Sequence, residues 1–185
     1  MTPHAIKGIP SDLITDGEYG ARRLKVEGGN SAFDDGKIFR SFWELNLASA
    51  ATRVFKFSVT GDVILLSSSI DIDDGGIEYK VYAGGAESGV FTPLTAFRSN
   101  LMSGVATPAS NVIISTGGAL DVTGVAVNDI IRVRAANANS KQSTVGSEVD
   151  DMRGFPITTA YVVVKNLTGV SGSSTGALKW RWQNR

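Results

Sequence analysis

The 185-residue chain contains no cysteine and one histidine, and its 18 basic side chains are balanced by 18 acidic ones. Without cysteine, disulfides, thiolate catalysis and zinc–thiolate sites are excluded. The single histidine, His4, would have to fold back onto the rest of the chain to act in serine–histidine catalysis or to bind a metal. A formal net charge of zero provides no basic field for a nucleic-acid backbone. We therefore expect no cofactor and no nucleic-acid partner.

Long apolar runs are also missing. The longest, residues 63–66, is far below the roughly 20 residues that a membrane-spanning helix needs. Residues 1–8 lack the apolar centre of a signal peptide. The sequence thus predicts a cytosolic product with no membrane contact. Its content of 42% hydrophobic and 19% charged residues is that of a packed globular protein.

Short segments in which apolar and polar residues alternate run through the chain, each closed by Gly, Asp, Asn or Ser. Period two is the pattern of half-buried antiparallel strands, because successive side chains point to opposite faces of a sheet. No segment of comparable strength has the helical period of 3.6 residues. Strands are predicted at about residues 22–27, 37–46, 52–59, 63–70, 76–83, 111–116, 129–135, 160–166 and 176–183.

These strands, together with two long connections at residues 84–108 and 136–157, predict an all-β fold. The expected architecture is an antiparallel β-sandwich of jelly-roll or related type, in which the face of Phe55 and Phe57 points inward. The Asp-Gly pair within residues 71–76 favours positive φ, so a hairpin turn is predicted there.

Residues 1–20 combine Gly, Pro and acidic residues with little periodicity, which predicts an extended N-terminal arm outside a sandwich of residues 21–185. A frayed terminus explains this composition as well. The apolar side chains along it favour an arm that a neighbouring subunit orders, since a solvated tail seldom carries so many anchors. The partner contacts predicted in this region are Ile9, Leu13, Ile14, Tyr19 and Arg22.

The two long connections carry further candidate contacts, because loops of this length in compact domains are usually functional or disordered. The residues predicted to contact a partner are Phe97, Met102, Met152 and Phe155. The alternative is that these side chains cap the ends of the sandwich.

Adjacent acidic residues occur at positions 34–35, 73–74 and 150–151. Glycosidases use two carboxylates, but neighbouring acids in Gly-rich turns are commonly solvated turn formers. A denser group consists of Asp71, Asp73, Asp74 and Glu78. Its oxygens suit Ca²⁺, although the spacing is not that of an EF-hand. The sequence therefore predicts no catalytic residue and leaves calcium binding by these aspartates open.

Trp180 and Trp182 share one face of the last predicted strand. If exposed, the two rings would form a sugar-stacking platform; if buried, they would fill the sandwich or a subunit interface. The basic residues Lys179, Arg181 and Arg185 would then point outward, toward solvent or an anionic partner.

Several segments resemble small virion structural proteins of tailed bacteriophages, especially short-tailed ones. They are residues 17–26 (GEYGARRLKV), 39–45 (FRSFWEL), 77–85 (IEYKVYAGG), 143–148 (STVGSE) and 153–156 (RGFP). Proteins of this kind are β-rich, lack enzymatic activity and are added to heads or tails in many copies. The resemblance carries no catalytic, cofactor-binding or metal-binding residue over to this chain.

What the resemblance implies is a virion structural protein assembled in the host bacterial cytoplasm. The first expectation is a capsid decoration (cement) subunit, a homo-oligomer that stabilises the head by bridging neighbouring subunits. Its partners would be the major capsid protein or other virion subunits. The alternative is a tail or fibre component that recognises a host surface glycan, with Trp180 or Trp182 stacking on a sugar ring.

Overall fold

The computed structural model describes in full residues 35–100, 108–135, 158–167 and 172–185. It also describes the backbone of the short strands at residues 14–16, 22–24, 142–146 and 153–155. Every regular element in these ranges is a β-strand, so the all-β prediction is confirmed. The chain divides into two compact units, Met1–Ser31 and Ala32–Arg185.

The first unit contains strands β1 (Ile14–Asp16) and β2 (Arg22–Leu24), which pair antiparallel with each other. The strand predicted over residues 22–27 therefore belongs to a separate two-stranded sheet and is not a strand of the sandwich. Pairing within this unit satisfies the backbone of β2 locally. The second unit begins at Ala32, later than the start at residue 21 expected for the sandwich.

The second unit contains two six-stranded sheets that pack together as a β-sandwich. Sheet I comprises β4 (Thr52–Val59), β6 (Gly76–Tyr82), β7 (Ala86–Pro93), β9 (Val112–Asp121), β10 (Val127–Arg134) and β13 (Thr159–Asn166). Sheet II comprises β3 (Ile38–Leu47), β5 (Val63–Asp74), β8 (Phe97–Arg98), β11 (Gln142–Gly146), β12 (Arg153–Phe155) and β14 (Ser174–Asn184). The spatial order is β10-β6-β13-β4-β9-β7 in sheet I and β11-β5-β14-β3-β8 in sheet II, where β12 also pairs with β5.

The core lies between the two sheets and is mainly aliphatic and aromatic. Phe55, Phe57 and Val59 of β4 face inward, as the alternation predicts, and Val54 lies in a different cluster on the opposite face. From sheet II, Trp180 packs against this row, with its ring centroid 5.1 Å from that of Phe55 and 5.5 Å from that of Phe57. This aromatic contact joins the two sheets at their centre.

Both buried indole groups of β14 find hydrogen-bond acceptors on other segments. Trp180 Nε1 donates to the hydroxyl of Tyr79 in sheet I at 3.1 Å, and this hydroxyl lies 3.3 Å from Ser68 Oγ in sheet II. Trp182 Nε1 donates to Ser110 Oγ at 3.1 Å. A buried donor without a partner costs about 1–3 kcal/mol, so these bonds favour one alignment of the two sheets.

One end of the sandwich is held by two buried polar side chains. The Asn166 amide nitrogen donates to the carbonyl oxygens of Leu47 and Ala48 at 2.8 and 2.9 Å. Ser174 Oγ lies 2.8 Å from the carbonyl oxygen of Gly76 and 2.9 Å from its amide nitrogen. These contacts connect the ends of β13 and β3 and the ends of β14 and β6.

The turn at Gly75 has the predicted positive φ, 78°, and its N–H donates to Asp74 Oδ1 at 2.8 Å. The predicted hairpin is nevertheless wrong, because β5 lies in sheet II and β6 in sheet I. The turn is a corner between the two sheets. None of the described strands of the second unit pairs with its neighbour in sequence, so local turn signals carry no information about pairing here.

Gly176 provides a test of the fold at the centre of sheet II. Its φ is 153°, and a Cβ atom at this position would collide with the carbonyl oxygen of Asp71 in β5. We expect Gly176→Ala to lower the free energy of unfolding by about 2 kcal/mol or more, because both the φ and the neighbouring backbone oppose a side chain. Urea denaturation measures the loss.

The matched control for this substitution is Gly84→Ala, since no heavy atom lies within 4 Å of a Cβ built at Gly84. Its free energy of unfolding should stay within about 1 kcal/mol of the wild-type value. Equal stabilities of the two variants would contradict the register of β14 with β5.

Candidate functional site

The outer face of sheet I is partly covered by the chain itself. Val54, Tyr82 and Tyr161 form a second buried cluster there, and Phe91 and Leu120 pack against it. This face therefore covers its aromatic side chains, although Ile113 and Ile130 are 47% and 44% exposed.

One carboxylate on the same face, that of Glu78 in β6, is paired within the chain. The carboxylate of Glu78 lies 2.6 Å from Lys80 Nζ and accepts a hydrogen bond from Arg132 Nε at 2.7 Å. These bonds, that of Lys80 first, lower the pKa of Glu78 below its ordinary value of 4.5, although burial opposes the shift. The Glu78 side chain is only 11% exposed, so this cluster has the character of a structural clamp between β6 and β10.

The outer face of sheet II presents two aromatic rings to solvent. Phe42 of β3 is 51% exposed and Phe97 of β8 is 41% exposed. Their ring centroids are 5.7 Å apart and the rings are inclined by 13°, so the two side chains stack on each other. Phe42 points outward because β3 alternates, with Ser41 buried beside it.

Basic side chains lie next to this aromatic stack. Arg40 and Arg181 are directly opposite each other on β3 and β14, and Lys179 is opposite Phe42. Lys179 Nζ makes an ion pair with Asp71 Oδ2 at 2.5 Å. Within the described part of the chain, neither arginine makes an ion pair. We refer to the following five residues as the aromatic–basic patch: Arg40, Phe42, Phe97, Lys179 and Arg181.

This patch has the chemistry of a binding surface. Guanidinium groups offer several donors in a planar fork that matches carboxylates and other oxyanions, and exposed apolar rings favour contact with another apolar surface. Ser67 and Ser69 of β5 lie opposite Arg181 and Lys179 on the next strand, which extends the row with hydroxyl groups.

The carboxylates considered for calcium are not brought together. Asp71 is paired with Lys179 and Asp74 accepts the N–H of Gly75, whereas Glu78 lies in the other sheet. Among the residues that the structure describes, no group of three or more His, Asp or Glu side chains is arranged to hold a metal ion.

Of the partner contacts predicted from the sequence, Phe97 is exposed and belongs to the patch; its contact with a partner stays a prediction. Five of the others lie outside the described residues, namely Ile9, Leu13, Tyr19, Met102 and Met152. Three lie in β1, β2 and β12, of which only the backbone is described, namely Ile14, Arg22 and Phe155.

The sugar-stacking role considered for Trp180 and Trp182 is wrong. Their side chains are 2% and 1% exposed and lie between the sheets, where no sugar ring can reach them. The alternative explanation, filling of the sandwich, is confirmed. The prediction that Lys179 and Arg181 point outward is also confirmed, because both are exposed.

Phe42 and Arg40 are the patch residues that were not predicted from the sequence as contacts. Alternation along the predicted strand could have indicated their exposure, because both residues alternate with Phe39 and Ser41, which are buried. The sequence pattern did not show which residues lie beside Phe42 and Arg40, since the neighbouring strands β8 and β14 are remote from β3 in the chain.

Comparisons of the chain with protein-family models, with curated proteins and with solved structures find no match. In the described ranges there is no helix of the length and apolarity required to cross a membrane.

The burial of the two tryptophans can be tested by fluorescence. In a Trp43→Phe variant, Trp180 and Trp182 are the remaining indoles. Their emission should be blue-shifted and weakly quenched by acrylamide, because the core excludes the quencher. The same variant unfolded in urea is the control. Quenching in the folded protein that equals quenching in urea would contradict the buried placement.

The Glu78 clamp predicts a pH dependence of stability. Because the folded-state pKa is below 4.5, the charged carboxylate stabilises the fold above that pH, and this contribution is lost as the pH falls through the folded-state pKa. Glu78→Gln should cost about 1 kcal/mol at pH 7, and its stability should approach that of the wild type at low pH.

Thermal denaturation between pH 7 and pH 3 measures this convergence. Glu44→Gln, at an exposed position of β3, is the control and should follow the wild type at every pH. A constant difference between Glu78→Gln and the wild type over the whole range would show that the lowered pKa of Glu78 does not contribute to stability.

Proposed function

We propose that the protein is a non-enzymatic structural subunit of a bacteriophage virion, a capsid decoration (cement) protein that bridges neighbouring subunits of the head. The observation that carries this proposal is the stacked pair of Phe42 and Phe97, about half exposed on the outer face of sheet II. Burial of apolar surface contributes roughly 25 cal/mol per Å². Covering the two rings would therefore stabilise a contact by about 2 kcal/mol.

The order of the strands supports the jelly-roll expectation. The last strand, β14, lies between β3 and β5, and β13 lies between β4 and β6. Outside these, β11 follows β5 and β10 follows β6. This nesting of early and late strands favours a jelly roll in which β7, β8 and β9 would be an insertion between the fourth and fifth strands. Jelly rolls are common in viral capsids, an analogy of fold that adds weight without identifying the function.

The geometry suits a subunit that binds without rearranging. The patch residues of β3 and β14 belong to strands that pair along their full length, and their backbones are already ordered before binding. Little conformational entropy is then lost on docking. On a particle that carries many copies, modest single contacts add up to strong attachment when subunits are linked to one another. The predicted N-terminal arm would add such links.

The non-enzymatic part of the proposal is supported by how the described carboxylates are used. Glu78 serves Lys80 and Arg132, Asp71 serves Lys179, and Glu87 accepts hydrogen bonds from Lys56 at 2.7 and 2.8 Å. Each of these acids is engaged in holding neighbouring strands or side chains, which is a structural use.

The proposal is tested with the double variant Phe42→Thr/Phe97→Thr. Particles are purified on a density gradient from lysates of the phage whose genome encodes the chain, and the bound protein is quantified by immunoblot. The wild-type chain should co-sediment with particles, and the variant should bind about tenfold more weakly or worse, because the apolar contact is lost.

The matched control is Ile130→Thr, since Ile130 is 44% exposed on β10 of the other sheet. This variant should bind particles as the wild type does. A wild-type chain that is missing from purified particles would overturn the virion proposal. If the double variant binds particles as well as the wild type does, the stacked pair is not part of the contact with the particle.

A further inference from the structure

We propose that the aromatic–basic patch docks an acidic protein segment, one that sets carboxylates on Arg40 and Arg181 beside an apolar side chain. This inference deepens the proposed function, on which it rests, by naming the chemistry of the partner at the same face.

Arg40 and Arg181 form an unfavourable pair in the isolated protein. They are directly opposite each other on adjacent antiparallel strands, where side chains on one face stand about 4.5–5.5 Å apart at Cβ. Like charges in this arrangement destabilise a sheet. Both side chains are exposed and neither has an acidic partner in the described residues. An external anion between the two guanidinium groups would remove the repulsion.

The two arginines differ in this respect from the basic residue nearest to them on β14. Lys179 lies two residues before Arg181 on the same face, and its Nζ makes an ion pair with the carboxylate of Asp71 at 2.5 Å. Other cations of the described chain that make ion pairs with its own acids are Lys37, Lys56, Lys80 and Arg132. The chain thus supplies acids to five of its described basic residues, whereas the two arginines that face each other across β3 and β14 have none in the described ranges.

Carboxylates fit the site better than a nucleic-acid backbone does. Each guanidinium can donate two parallel hydrogen bonds to a carboxylate, so two acidic side chains are enough to neutralise the pair. A phosphate backbone needs a longer track of cations. Along β3 and β5 the patch instead ends at Glu44 and Asp71, the residues on either side of Ala177 in register, so the row of basic residues is too short for such a backbone.

The apolar element of the partner follows from the position of the rings. Phe97 is opposite Arg40 on one side of β3, and Arg181 is opposite Arg40 on the other side. Neighbouring strands are about 4.8 Å apart, so ring and guanidinium groups follow each other across three strands. An extended partner segment that crosses these three strands has side chains about 6.6–6.8 Å apart on one face. One of these side chains would contact the rings, and the following side chains on the same face would contact the arginines.

The test uses a capped peptide in which one leucine and two aspartates alternate with serines, added to ¹⁵N-labelled full-length protein. We expect millimolar peptide to shift the Nε–H signals of Arg40 and Arg181 in NMR spectra, less so at high salt because the contact is charged. A peptide with asparagines in place of the aspartates should bind at least about fivefold more weakly.

The decisive variant is Arg40→Gln/Arg181→Gln, which should lose the preference for the aspartate peptide. Its matched control is Arg134→Gln/Lys165→Gln, which removes the same charge from exposed positions of sheet I and should keep the preference. Equal binding of the aspartate and asparagine peptides to the wild-type protein would overturn the inference.

Two further outcomes would assign the patch to another occupant and so overturn the inference. One is tighter binding of an oligothymidylate than of the aspartate peptide, which would indicate nucleic acid. The other is self-association of the wild type that the arginine variant abolishes, which would indicate a second copy of the chain.

The particle assay separates this inference from the proposed function. Undiminished particle binding by Arg40→Gln/Arg181→Gln would overturn the acidic partner and leave the decoration role standing. Selective peptide binding by a wild-type chain that does not join particles would overturn the decoration role and support the acidic partner.

Discussion

The contact of Trp180 with the phenylalanine row of β4 is the interaction on which the rest of the sandwich depends. The ring packs on Phe55 and Phe57 across the space between the sheets, and its N–H reaches the hydroxyl of Tyr79. Once Trp180 points inward, the pleat obliges Arg181 to point outward. The exposed charge of sheet II is therefore a direct consequence of how its core is filled.

Pairing in the sandwich is entirely between strands that are remote in the chain, among the strands that the structure describes. The C-terminal strand β14 lies between β3 and β5, so sheet II is complete only when the end of the chain is in place. Such long-range topology makes folding slow. It also produces a patch whose residues come from β3, β8 and β14, with a backbone held from both sides along β14.

The outer faces of the two sheets differ in the exposure of their aromatic rings and in the ion pairs of their basic residues. On sheet I, Glu78 makes ion pairs with Lys80 and Arg132, and Tyr161 lies in a buried cluster. On sheet II, the aromatic stack stays half exposed and the arginine pair has no acid within the described chain. A stable fold does not require this asymmetry. The proposed attachment through sheet II to an apolar, acidic surface would account for it.

The alternation of side chains determined the all-β class, the inward face of Phe55 and Phe57, and the common face of the two buried tryptophans, because period two is a property of the local backbone. Tertiary structure alone decided which strands pair. The Asp-Gly turn at Gly75 became a corner between sheets, and Arg40 came to lie opposite Arg181. Register between distant strands arises from the packing of the whole core, so no local pattern specifies it.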